Sequence, residues 1–201
     1  MGNNNCKDDR AALIVIDMQN GFLEEESSLC IAMAKATVPA CSRVIRFARE
    51  KQIPVFFVTR IYKEDGSDVE HTRKENWEAG GKPLTKSSKG PLSIEMPAEF
   101  TVNSKDFFIV KPRFSAFFAT ELDLILRRLG VQKIYLAGTT TPNCIRTTCY
   151  DGISLDYGVT VIEDCCSSNT LEIQRANMLD MKNIGAKIID ADSFCGESEE
   201  E

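Results

Sequence analysis

Six short apolar runs punctuate the chain, and between most of them apolar positions recur every three or four residues. The runs are 11–16 (AALIVI), 53–58 (IPVFFV), 107–110 (FFIV), 132–137 (QKIYLA), 158–162 (GVTVI) and 186–189 (AKII). Most are continuously apolar rather than alternating, which is the mark of strands buried on both faces. The periodic segments predict helices. Val38, Cys41, Val44, Ile45 and Ala48 share one face, with Pro39 suited to a first turn. Leu122, Ile125, Leu126 and Leu129 mark a helix over 118–129 that Gly130 closes. Further helices are expected over 142–156 and over 170–184, the second ended by Gly185. Strands alternating with helices predict an α/β protein: a three-layer α/β/α arrangement with a mostly parallel sheet of about six strands.

One stretch breaks the alternation. Residues 61–105 are charged and rich in Gly, Lys, Ser and Pro, with Trp77 among them. So long an excursion reads either as a lid or binding loop, or as a loop that Trp77 anchors to the body. Nothing divides the rest, so a single domain is expected over 10–195. Residues 1–9 and the acidic 196–201 (GESEEE) are expected to be disordered.

Composition narrows the classes. At 201 residues, with 43% hydrophobic and 27% charged positions, the chain has room for one sizeable core. A net charge of −6 argues against nucleic acid or an anionic membrane as partner. No apolar run reaches the roughly 18 residues that span a bilayer. The start, MGNNNCKDDR, lacks the apolar core of a secretory signal, and Cys6 stands where an acylation signal would want Ser or Thr. Eight cysteines without a CxxC pair point to reduced thiols and a cytoplasmic setting. His71 is the only histidine, which excludes His-rich metal sites and HExxH helices; no metal or cofactor is expected.

Ligands of open parallel sheets bind at the carboxyl ends of strands. Asp17, Lys111 and Cys144 follow the first, third and fourth runs. In Ala137–Asp151 (AGTTTPNCIRTTCYD), Thr141 can cap a helix, Pro142 suits its first position, and Cys144 falls in the first turn. Unpaired N–H groups and the helix dipole there favour a thiolate, although a cysteine more often packs as a small hydrophobe. A thiolate can attack a carbonyl carbon if a base handles the proton. Asp17, a carboxylate desolvated at a strand end, suits that task, and Lys111 would hold both anions. Gly138 and the small threonines suit a turn offering N–H groups to an oxyanion. Against this stand a structural Asp17–Lys111 ion pair, a catalytically silent binding protein, and a thiol-redox protein.

DMQNGF, VKPRFSAF and GTTTPNCIRTTCYDG, in that order, resemble the isochorismatase-like cysteine hydrolases over about residues 10–190. The resemblance implies a catalytic triad of Asp17, Lys111 and Cys144. It also implies a non-proline cis peptide at Thr139–Thr140 and an oxyanion hole from the N–H groups of Thr140 and Cys144. Gln19 would lie near Asp17, and Phe22 and Trp77 would wall the pocket. Arg113, two residues beyond Lys111, would point the same way along a strand and meet a substrate carboxylate, or else form a surface or interface ion pair. A homo-oligomer, dimer or tetramer, is implied as well. The segment TRIYKEDGSDVEH lacks the metal cluster of the nicotinamidase branch, and Cys144 disfavours vinyl-ether hydrolysis. KPRFSAFF and TPNCIRTT are closest to the ureidoacrylate-type amidohydrolases, so the expected reaction is C–N cleavage of a small amide or ureido compound. Hydrolysis of another small substrate by the same machinery is the second expectation.

Overall fold

Ala11–Ile16 (β1) is buried along its whole length, which a strand tolerates only when both faces are covered. In the computed structural model, which describes residues 10–196, this strand lies inside a six-stranded sheet. The others are Val55–Thr59 (β2), Phe107–Val110 (β3), Lys133–Thr139 (β4), Gly158–Ser167 (β5) and Lys187–Ile189 (β6). Their order is β3-β2-β1-β4-β5-β6 and every pair is parallel. The helices are Asn20–Leu23 (α1), Val38–Glu50 (α2), Lys74–Ala79 (α3), Leu122–Arg128 (α4), Arg146–Ser154 (α5), Leu171–Asn183 (α6) and Ala191–Cys195 (α7).

Successive β1 side chains serve opposite layers, as strand geometry requires. Ile14 and Ile16 pack with Leu122 and Leu126 of α4, Cys149 of α5, and Met178 and Met181 of α6. Leu13 and Val15 pack with Cys41, Val44, Ile45 and Ala48 of α2 and Phe194 of α7. The three-layer α/β/α arrangement follows from that division. Among the described residues, no helix is long and apolar enough to cross a membrane.

Two boundaries differ from the apolar pattern for local reasons. Helix α4 starts at Leu122 rather than 118, because Ala119 takes a positive φ of 52° and the Thr120 hydroxyl accepts the Leu122 N–H in a turn. Strand β5 runs past Ile162 to Ser167. Its ladder with β4 breaks after Leu136↔Val161 and resumes at Gly138↔Cys166, so exposed Glu163 and Asp164 fall in the slack. A bulge of this kind lets polar residues interrupt a buried strand without ending it.

The excursion builds its own small core. Tyr62, Val69, Trp77 and Leu84 are buried together, with Phe22, Leu29 and Ile94 packed against them. The Trp77 indole N–H donates to the Pro83 carbonyl at 2.8 Å, and its ring meets Tyr62 edge-on at 5.7 Å. Asn20 and Gly21 of α1 donate backbone N–H groups to Glu95 and Ser93, fastening the far end of the excursion beside β1. The anchoring reading of Trp77 therefore describes its place in the fold. Residues 1–9, with Cys6, and 197–201 of the acidic tail lie outside the described residues; Gly196 closes α7 at a φ of 70°.

Candidate active site

The chain leaves β1 for β2 on one side and returns through β4 on the other, so the sheet divides between β1 and β4. The carboxyl ends of such a divide form the natural crevice of an open α/β sheet. Asp17 stands there with a φ of 55°, a conformation uncommon outside glycine. Its N–H donates to the Val58 carbonyl at 2.8 Å, and its carbonyl accepts from Gln19 N–H at 2.9 Å. Lys111 enters from β3, its N–H donating to Thr59 O at 2.9 Å. From there the side chain reaches past the end of β2. Its Nζ lies 2.7 Å from Asp17 Oδ2 and 3.5 Å from Cys144 Sγ, and donates to Arg113 O at 3.2 Å. Asp17 is 1% exposed, Lys111 0% and Cys144 5%. The Asp17 carboxylate thus lies between the lysine, with which it is ion-paired, and the Cys144 thiol, which hydrogen-bonds to it.

The turn carrying Cys144 is held from three sides. The Thr139–Thr140 peptide is cis. Thr140, not Thr141, takes the extended cap position, and its carbonyl accepts the N–H groups of Asn143 at 3.1 Å and Ile145 at 3.3 Å. Thr141–Ile145 forms a single π-helical turn before α5, a widened geometry often found at functional sites. The Thr140 hydroxyl donates to Ser167 O at 3.1 Å, and the Ser167 hydroxyl to Thr139 Oγ1 at 2.9 Å. One turn on, the Thr148 hydroxyl donates to Cys144 O at 2.7 Å and accepts the Ala116 N–H at 2.9 Å, tying the segment after Lys111 to the same turn.

The thiolate expected from the helix start is not what this environment favours. Burial, and then the charge of Asp17, push the Cys144 thiol up to about 11, while Lys111 and Arg60 pull it down without cancelling the rise. The first-turn position does not offset that rise, and at neutral pH the Cys144 side chain is a thiol.

The residues expected to touch substrate have defined places. Gln19 is buried and fully engaged by backbone: Oε1 accepts the Arg60 N–H at 2.7 Å, and Nε2 donates to Arg60 O at 3.0 Å and Ile94 O at 3.1 Å. Phe22 and Trp77 meet in the excursion core, where a cavity of about 300 Å³ is lined by Tyr62, Val69, Arg73 and Trp77 among others. For Arg113 the strand argument does not apply, because β3 stops at Val110. Its Nη1 donates to Asp68 O at 3.0 Å and Pro112 O at 2.6 Å, lacing the excursion to the segment after Lys111.

Arg60 is the residue that sequence reasoning passed over. It follows β2 directly and is 2% exposed. Its place at a strand's carboxyl end is the one signal of it in the sequence. Among the described residues, no group of three or more His, Cys, Asp or Glu side chains is placed to hold a metal ion, and His71 is exposed. Cys30, Cys41, Cys144, Cys149, Cys165 and Cys166 are free thiols. Adjacent Cys165 and Cys166 point into opposite layers of the core.

Comparison with known proteins adds an independent line. The family profile described as Isochorismatase domain matches residues 11–193. A protein of Arabidopsis thaliana, described as a "probable inactive nicotinamidase", is 44% identical over 178 residues, spanning 88% of this chain and 90% of its own. The ureidoacrylate amidohydrolase RutB of Yersinia enterocolitica is 31% identical over 204 residues, spanning 92% of this chain and 87% of its own. Among solved structures, an isochorismatase family protein from Desulfovibrio vulgaris superposes with a TM-score of 0.86 at 36% identity, covering 92% of this chain and 96% of that one.

Proposed function

The chain belongs to the isochorismatase-domain family of hydrolases, and from that premise we propose that it is a metal-independent cysteine amidohydrolase cleaving a C–N bond in a small amide or ureido compound. The observation that carries the reading is the approach of Lys111 Nζ to both Asp17, at 2.7 Å, and Cys144 Sγ, at 3.5 Å, with all three side chains buried. An acid–base group, a nucleophile and a cation shared between them are the minimum set for acyl transfer through sulfur.

In this mechanism Asp17 takes the Cys144 proton as the sulfur attacks the substrate carbonyl carbon. Lys111 offsets whichever of the two carries the negative charge. The tetrahedral oxyanion rests on the N–H groups of Thr140 and Cys144. Asp17 then passes its proton to the leaving nitrogen as the C–N bond breaks, giving an amine or ammonia and a thioester on Cys144. Water, deprotonated by Asp17, attacks the thioester, which releases the carboxylic or carbamic acid and restores the thiol. RutB, named a ureidoacrylate amidohydrolase, supports a ureido substrate. Nicotinamide is disfavoured, since residues 59–71 hold a single histidine and no metal cluster.

The test is a panel of ureidoacrylate-like, N-carbamoyl and maleamate-like compounds, with nicotinamide alongside, read by coupled ammonia detection. Turnover of at least one ureido or linear amide compound is expected, and the Cys144→Ala variant should release no ammonia from it. Undiminished turnover in that variant would sink the reading.

A further inference from the structure

Among the described residues, Arg60 and its partner Glu70 are buried charges that the mechanism leaves unused. The Arg60 backbone N–H and carbonyl are both held by the Gln19 amide, at 2.7 and 3.0 Å. Its Nη1 donates to Glu70 Oε1 at 2.6 Å and to Pro112 O at 2.9 Å. One residue therefore touches the segment after Asp17, the segment after Lys111 and the excursion. The guanidinium carbon lies 5.3 Å from the Tyr62 ring centroid and 5.9 Å from that of Phe114. The Tyr62 hydroxyl donates to the other Glu70 oxygen at 3.0 Å.

Stability alone does not account for this cation. A buried ion pair is often no better for the fold than apolar side chains of the same volume. Glu70 also meets only one edge of the guanidinium, for Nε is buried and finds no acceptor. An unpaired donor of a buried cation is a standing penalty that packing does not require. The Nε–H is thus a positively polarised donor without a protein partner on a buried guanidinium that follows β2. The Arg60 pKa is raised although burial lowers it, because Tyr62, Asp17, Glu70 and Cys144 favour its charged form. Its field acts in return to make the Cys144 thiol more acidic.

We propose that Arg60 is a positioning residue of the same site: the second cation, after Lys111, that stabilises the Cys144 thiolate during the interval in which Asp17 holds the proton. This rests on Cys144 being the nucleophile. The buried charged side chains at this edge of the sheet are Asp17 at the end of β1, Arg60 at the end of β2 with its partner Glu70, and Lys111 at the end of β3; the turn before Cys144 supplies uncharged Thr140 and Thr141. With the proton on Asp17, two cations oppose one thiolate, and Glu70 tempers the second. Glu70 is thereby a setting for how strongly Arg60 acts.

The experiment follows iodoacetamide alkylation of the Cys144-containing peptide by mass spectrometry between pH 7 and the limit of folding, in wild type, R60M, R60K, E70Q and R60M/E70Q. Removing the cation should slow alkylation at pH 8.5 by about tenfold, equivalent to about one pH unit of thiol acidity. R60K should keep most of the wild-type rate. E70Q, isosteric and still able to accept from Nη1, should speed alkylation by removing the anion that offsets Arg60. The double variant removes both halves of the ion pair without stranding a charge, so it carries the test if R60M alone folds poorly. A merely structural Arg60 predicts wild-type rates in R60M/E70Q and in E70Q, and either result would overturn the proposal. Because the readout is alkylation, absence of turnover on every amide would count against the proposed activity, whereas wild-type alkylation rates in these variants would count against Arg60 acting on the sulfur.

Discussion

The Lys111 ammonium lies 2.7 Å from the Asp17 carboxylate, with both side chains sealed from solvent. Such a pair adds little to stability as a pair, yet removing one member strands a buried charge. K111M should therefore lose about 3–5 kcal/mol of unfolding free energy. The D17N/K111M double variant should recover most of that loss while remaining inactive. Urea denaturation followed by far-UV circular dichroism measures both; a K111M midpoint equal to wild type would contradict the buried pairing.

Asp17→Asn separates two effects that usually travel together. The variant loses its base, so turnover should fall by about 10²–10⁴-fold. Its thiol should become more acidic, because the Asp17 charge is among the causes that raise Cys144 to about 11. A lower thiol pKa puts more thiolate in solution at any pH below it. Alkylation of Cys144 near pH 8 should accordingly quicken in the variant that has stopped turning over substrate. Slower alkylation would show that Asp17 does not oppose the thiolate.

Gly138→Ala probes the seam between β1 and β4. Gly138 has a φ of 115°, and an added Cβ would collide with the carbonyl of Ile16, the residue before Asp17. No flexible side chain can yield there. The variant should be destabilised by several times the ~1 kcal/mol that a glycine-specific conformation alone costs, and much of it should be insoluble on expression. A soluble variant with a thermal midpoint within a few degrees of wild type would disprove the close approach.

Gln19→Ala leaves the Arg60 N–H and the carbonyls of Arg60 and Ile94 without partners in a buried place. A loss of at least about 2 kcal/mol is expected. Cleavage between residues 61 and 105 by a protease at low concentration should speed up, since the amide pins both ends of that excursion. Trp77 fluorescence, reporting the excursion core, should shift to the red at lower urea than the global transition.

The sheet was legible because its strands are apolar runs buried on both sides; Ala11–Ile16 could be nothing else in a chain of this composition. Where local geometry overrode the pattern, the sequence misled. Glu163 and Asp164 read as a strand end because a bulge that carries two exposed acids within a ladder has no apolar signature. Asp17, Lys111 and Cys144 were found because strand-end position and residue chemistry agreed. The protonation of Cys144 was not, since it depends on an anion contributed by a residue far away in the chain. Arg60 escaped for the same reason: its meaning lies in Gln19, Glu70 and Pro112, none of which its neighbours in sequence announce.

The order β3-β2-β1-β4 has one more consequence, for how the protein comes to be active. Residues 17, 60, 111 and 144 come from adjacent strands but distant points in the chain, so no fragment or early hairpin can present them together. Parallel pairings of this reach close late, because their loop entropy is lost before contacts repay it. Alkylation chemistry at Cys144 should thus be the last property to return during refolding, after helix content and after the burial of Trp77, and its recovery would time the zipping of β3 and β4 onto the β1–β2 pair.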